Sequence, residues 1–170
     1  MSTLTPEAAS SVRDAGLASL AVSRGLLKQQ LEGIEGDAWT RPPYEGGNHA
    51  LWTVGHLATS DTGFARGLGV ELDVPHGYPE LFGMGSEPKA AASAYPDPQG
   101  VVELFHTNRE ALREAARAAN PATLAEPRTG PMSDIIPNGA MLVVFCAQHE
   151  MVHAGQMGMI RRALGLPRVI

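Results

Sequence analysis

The segment His149-Glu150-Met151-Val152-His153 sets two imidazoles four residues apart. On a helix that spacing separates them by about 40° around the axis and about 6 Å along it. Both rings can therefore reach one metal ion. The seam they share reads Leu142, Cys146, His149, His153, Gln156, Ile160. An apolar stripe gives way to polar residues just where a bundle core should be dry. Burying such groups uncompensated costs on the order of 2–7 kcal/mol each, and a bound metal ion would satisfy them.

The same letters spell H-E-x-x-H, the zinc-protease pattern in which the glutamate is a general base. That chemistry needs a third ligand, normally downstream, and no His, Asp or Glu follows His153. A protease of that kind is disfavoured on these grounds. The third ligand must come from upstream, where His49, His56, His76 and His106 are the candidates. His49, Trp52 and His56 share one helical stripe, but His49 and His56 lie about 10 Å apart along it and cannot both join the later pair. His56 is set about two turns inside its helix, the better depth for a ligand in a bundle core. His76 falls in a long loop, and His106 falls off the apolar face of its helix. The expected metal set is His56, His149 and His153. Three neutral imidazoles leave room for water or substrate, the arrangement of a catalytic rather than a structural site.

Around that set, Asn48, His49, Trp52 and Gln156 are the expected pocket residues. Gln156, one turn beyond His153, could hydrogen-bond a ligand imidazole or a bound water. Glu150 is rotated about 100° from His149, which suits a salt bridge on the helix flank better than catalysis. Cys146, one turn before His149, reads as a small core residue, with a fourth metal ligand as the alternative. Arg24 interrupts an apolar stripe, as a packed stem with a solvated head or as a cation in the pocket.

Pro and Gly clusters divide the chain into four helical stretches. The first runs from about Pro6 to Glu35, with Thr5 as N-cap and Leu17, Leu20, Leu27, Leu31 and Ile34 as its apolar stripe. Asn48 is expected to cap a second, from about His49 to Gly69. The third starts at Asp97-Pro98 and runs to about Ala119, with Val101, Phe105, Leu112, Ala115 and Ala119 facing inward. The fourth spans about Asn138 to Leu164, closed by Gly165 and Pro167, with Arg161 and Arg162 in its last turn. No strand pattern is left over. The expected fold is all-α: a four-helix bundle with long crossover loops, Val70 to Tyr95 and Pro121 to Pro137. The first, carrying Leu81-Phe82-Gly83-Met84-Gly85, is apolar enough to fold onto the bundle. Ala154, Gly155 and Gly158 form a small-residue face that permits a close helix approach, inside the bundle or across a homodimer.

Residues 1–170 are expected to form one domain. The single cysteine among 170 residues excludes a disulfide framework and fits a reducing cytoplasm. Thirteen Lys+Arg against 18 Asp+Glu leave a net charge of −5, without the basic clusters that nucleic-acid binding requires. Met1 to Glu7 carries neither the basic region nor the apolar run of a secretory leader, and no stretch is apolar for the roughly 18 residues of a membrane span. A cytoplasmic protein with a small-molecule substrate, and no nucleic acid or membrane partner, is the expectation.

Two blocks, Asn48-His49-Ala50-Leu51-Trp52-Thr53-Val54-Gly55-His56-Leu57-Ala58 and His149-Glu150-Met151-Val152-His153-Ala154-Gly155-Gln156 with the following Arg161-Arg162-Ala163-Leu164-Gly165-Leu166-Pro167, resemble the DinB/YfiT-like superfamily. The resemblance implies a four-helix bundle, often dimeric, with a divalent transition metal, zinc or nickel, held by three histidines. Carried over, these are His56, His149 and His153. For activity it implies a range: transfer of a low-molecular-weight thiol to a small electrophile, or metal-dependent hydrolysis. A fold family does not transfer a substrate. Against the enzyme stands a non-catalytic bundle in which the ion only satisfies the buried histidines. An open coordination position beside a pocket favours the first, and a closed site the second.

Overall fold

The computed structural model describes residues 4–130 and 132–170. Met1 to Thr3, within the leader and domain readings, and Pro131, within the second crossover, lie outside them. Four long helices form the frame: α1 Pro6–Leu31, α2 Ala50–Arg66, α4 Pro98–Ala118 and α6 Gly139–Ala163. Two short ones lie in the crossovers, α3 Tyr78–Phe82 and α5 Pro121–Ala125. Among the described residues there is no strand, only an isolated antiparallel bridge between Pro127 and Asn138. Helix α1 packs along α6 and α2 along α4, so the frame is two helix pairs laid face to face.

The helix ends follow from local chemistry. Thr5 accepts from the Ala8 amide, Asp97 from Gly100 and Asn138 from Met141, and Pro6 and Pro98 sit where their missing N–H costs nothing. Gly165 ends α6 at φ +75°, with Leu166 N–H bonded back to Arg161 O and Gly165 N–H to Arg162 O. The second helix departs from expectation. Its cap is His49, whose Nδ1 accepts from the Trp52 amide, while Asn48 lies one residue outside. Arg161 does more than complement a helix dipole. It is buried, and its guanidinium donates to Gln30 O and Glu32 O at the end of α1 and to Pro167 O of the tail.

Apolar burial follows the expected stripes, with one shift. In α4 the buried row is Val101, Phe105, Asn108, Arg109, Leu112 and Ala116; Ala115 and Ala119 sit at its margin. The first crossover folds onto the bundle: Phe82 of α3 is buried against Leu51, Val54 and neighbouring core side chains. In the second, Leu124 of α5 and Ala140 of α6 bury against Ala9 of α1. The small residues of α6 divide by face. Ala154 is buried, Gly158 meets the Gln30 side chain of α1, and Gly155 opens outward with nothing near its Cβ position.

Helices α1 and α6 approach closely at Gly16, where an added Cβ would stand 2.9 Å from Val144 N and 3.0 Å from Val143 C. Those are backbone atoms and cannot swing aside. Gly16→Ala gains about 1 kcal/mol of helix propensity but meets an overpacking cost of about 1–3 kcal/mol. It should lower the unfolding midpoint. Gly25→Ala, in the same helix with nothing within 4 Å, meets no such cost and should raise it. Chemical denaturation of both variants checks the pair. A stabilised Gly16→Ala would mean that the two helices are not held as closely as described.

Candidate metal centre

Helix period places His56 on the inner face of α2, and His149 and His153 on consecutive turns of α6. Their rings converge: one nitrogen from each lies within 4.8 Å of the others. The Nε2 atoms of His149 and His153 are 3.2 Å apart. Ring centroids are 5.3 Å apart for His56–His149 and 4.9 Å for His56–His153. These are the three histidines expected from spacing.

The outer ring nitrogens decide which inner atoms are free. His56 Nδ1 stands 2.8 Å from Phe82 O. A carbonyl only accepts, so Nδ1 carries the proton and Nε2 keeps its lone pair. In the same way His153 Nδ1–H donates to Gln156 Oε1 at 2.8 Å. Two of three rings are thus locked with Nε2 as the electron-pair donor, the usual support of a ligand histidine. His149 is packed against the Phe64 and Phe145 rings, and its buried Nδ1 has no hydrogen-bond partner.

Burial also keeps the rings neutral. Desolvation, then the nearby histidines, pushes His149 down to about 3. His153 is pushed down to about 4 by desolvation and by His56, against the bond to Gln156. His56 is lowered by desolvation in the same direction. Neutral imidazole is the form that ligates a metal. A tetrahedral ion with bonds of about 2.0–2.1 Å holds its donors roughly 3.3 Å apart. The donor set therefore suits a divalent ion with a fourth position left over, and the His149–His153 pair, 3.2 Å apart, already stands at that spacing.

The expected pocket residues separate into different roles. Trp52 lies stacked on His56, centroids 4.8 Å apart and planes 6° from parallel, with Nε1–H donating to Ser86 Oγ of the crossover. Asn48 and Gln156 share a small cavity of about 40 Å³ with Pro43, Tyr44 and Met159. His49 does not line it. At 1% exposure it is a buried helix cap, set edge-on to Tyr95. Nor is Arg24 there: it lies over the Phe105 ring at 4.2 Å and donates to His106 Nδ1. His106 is accordingly no candidate ligand. Desolvation first, then the charges of Arg24 and Lys28, pushes it down to about 4. His76 stays exposed in the loop. Cys146 is a buried core thiol, pushed up to about 12 mainly by desolvation.

Glu150 is the main correction. It is not on the helix flank but fully buried, with Oε2 3.3 Å from Arg109 Nε. Arg109 also meets Asp61 Oδ1 at 2.8 Å. Burial raises Asp61 to about 7 against the pull of Arg109, and moves Glu150 upward as well. Neither Asp61 nor Arg109 was expected, though each interrupts an apolar face. Ser60 was also missed. One turn after His56, its hydroxyl lies 3.5 Å from the inward Nε2, and the i, i+4 spacing would have found it. Phe82 O bears no mark in the sequence, because a backbone carbonyl is common to every residue.

A family model described as the DinB superfamily matches residues 19–157. No curated protein matches this chain. Among solved structures, YfiT from Bacillus subtilis matches with a TM-score of 0.67 at 18% sequence identity, over 98% of this chain and 93% of that one. YfiT is described as a probable metal-dependent hydrolase with an unusual four-helix bundle topology. At that identity the likeness is one of fold, and here it coincides with four long helices, two of which bring three imidazoles to one point. Matched by the family model over most of its length, the chain belongs to the DinB superfamily.

Proposed function

We propose that this protein is a metal-dependent enzyme acting on a small molecule, by hydrolysis or by transfer of a low-molecular-weight thiol to an electrophile. The observation that carries the proposal is the convergence of three neutral imidazole nitrogens within 4.8 Å, two of them locked with Nε2 inward. His56, His149 and His153 would hold the ion. A divalent ion there supplies Lewis acidity, which makes a nucleophile available near neutral pH. The chain's own groups do the rest. Phe82 O and Gln156 fix the ring orientations, Trp52 shields one face of His56, and Ser60 offers a hydroxyl beside the donor atoms. Tyr44 and Asn48 border a small cavity that is also lined by Gln156, the partner of His153. Zinc or nickel suits an all-imidazole donor set.

Elemental mass spectrometry on untagged protein, purified without chelator or added metal, should find about one transition-metal ion per chain. His56→Ala should abolish that uptake and His106→Ala should leave it intact. Well-folded protein that takes up no metal on titration would sink the proposal. Equal uptake by both variants would remove His56 from the site. With metal loaded, consumption of a thiol by an electrophile and hydrolysis of activated esters are the two activities to assay.

Gln156→Leu removes the acceptor for His153 Nδ1–H, and should weaken metal affinity about 10–100-fold at unchanged stoichiometry. Calorimetric titration reads both quantities.

The pH dependence has a definite sign. In the fold, His149 titrates at about 3 and His153 at about 4, below the ordinary 6.5. Protons therefore do not compete for these nitrogens until the pH falls well below the range of a free imidazole. Metal affinity should be nearly flat from about pH 8 to about pH 6 and fall steeply only under about pH 5. A decline beginning near pH 7 would show that the rings are not held as described.

A further inference from the structure

The ligand-bearing helices are not each other's main neighbours. Helix α2, with His56, packs along α4, and α6, with His149 and His153, packs along α1. The distance between α2 and α6 nevertheless decides whether three imidazoles meet. One side chain spans that distance near the cluster. Arg109 of α4 contacts Asp61 of α2 at 2.8 Å and Glu150 of α6 at 3.3 Å. Asp61 follows His56 by five residues, about 7.5 Å along the helix, and Glu150 follows His149 directly. Arg109 is 1% exposed, and Asp61 and Glu150 are 0% exposed.

We propose that Arg109 is a positioning residue for the histidine cluster, a buried bridge that sets the separation and rotation of α2 against α6. This rests on the metal-site reading only in taking the three histidines as ligands. Burying an arginine with two carboxylates is costly, and apolar side chains of similar volume would serve bare stability as well or better. The contacts are ion pairs by distance, without the alignment of a bidentate fork. What they give is a fixed span, with both carboxylates drawn toward one guanidinium lying 5.6 Å from the Phe105 ring centre. The same bridge holds Glu150 on the α4 side of α6, turned from the histidines. Arg24, one helix further round, lies over the same ring and adds a second positive charge felt by Glu150 and Asp61. Each of the four long helices thus contributes one charged group to a cluster of zero formal charge.

The test removes one charge of each sign, Asp61→Asn with Arg109→Met, so that Glu150 keeps Arg24 as counter-charge. Arg109→Lys is the conservative companion, retaining the charge but losing the planar reach. Helix content is followed by circular dichroism. The α2–α6 span is read by pulsed spin-label distances between Gly63→Cys and Gln148→Cys, both solvent-facing, in a Cys146→Ala background. Cobalt(II) uptake is followed by its visible spectrum. In the double variant we expect retained helix content, a shifted or broadened distance distribution, and cobalt affinity reduced about 10–100-fold with an altered spectrum. Arg109→Lys should fall between it and the parent. A parent-like narrow distance in the double variant would overturn the proposal, as would a changed distance with unchanged cobalt affinity and spectrum. If the parent itself takes up no cobalt, the proposed function falls, and the spin-label distances alone still judge the bridge.

Discussion

Three imidazoles drawn from two helices stand within 4.8 Å of one another inside a bundle, and most of the surrounding structure answers to that crowding. A proton on any of them would be a buried charge facing two other rings, which is why His149 and His153 titrate so low. Kept neutral, each ring still has one N–H to place. If those hydrogens pointed inward they would fill the space where lone pairs must meet. The acceptors therefore have to lie outside the cluster, and for two rings they do, as Phe82 O and Gln156 Oε1. The third ring, His149, has no acceptor on its outer Nδ1; aromatic walls hold it, and its inner Nε2 lies 3.2 Å from His153 Nε2.

That requirement explains the path of the first crossover. To bring Phe82 O to His56 the chain must come down onto α2, and it does so over Gly55, where any side chain would meet the Phe82 ring. Further ties hold the segment in place. Trp52 Nε1–H bonds to Ser86 Oγ, which itself donates to Leu81 O, and the Tyr95 hydroxyl accepts from the Lys89 amide while its ring meets His49. Ordering so long a connection costs backbone entropy of about 1–2 kcal/mol per residue. Anchoring Phe82 and Tyr78 in the core offsets part of it. The crossover is thus a wall of the site as well as a connection.

The frame and the three histidines were legible because both are set by period. Pro and Gly punctuation marked the four long helices, steps of three and four set His149, His153 and Gln156 on one seam, and depth in the second helix together with the family resemblance singled out His56. What stayed hidden has physical reasons. His49 shares a stripe with Trp52 and His56, but extended backbone at a cap position, φ −89° and ψ 169°, turns its ring back over the helix end. Periodicity does not extend to a residue outside the helix. Phe82 acts through its carbonyl. Arg109, by contrast, left a mark: it lies four residues after Phe105 and belongs to the inward row of α4, just as Asp61 falls near the end of the buried run of α2. Taken alone, each is only a polar interruption, because the partner that explains it sits on another helix.

Glu150 shows how the helical period divides one motif between two uses. Consecutive residues are about 100° apart around a helix, so with His149 and His153 turned toward His56, Glu150 must face another neighbour. In a zinc-protease helix that next direction borders the substrate cleft. Here it borders α4, in the dry interior of the bundle, where a carboxylate survives only beside a cation. The cation is Arg109, which in turn would be an uncompensated charge in the inward row of α4 without Glu150 and Asp61. The irregularities in three separate helices are therefore one feature. The acidic residue of the H-E-x-x-H spelling faces Arg109 rather than the histidine cluster, and among the described residues the hydroxyl of Ser60 and the amide of Gln156 lie beside the imidazole nitrogens.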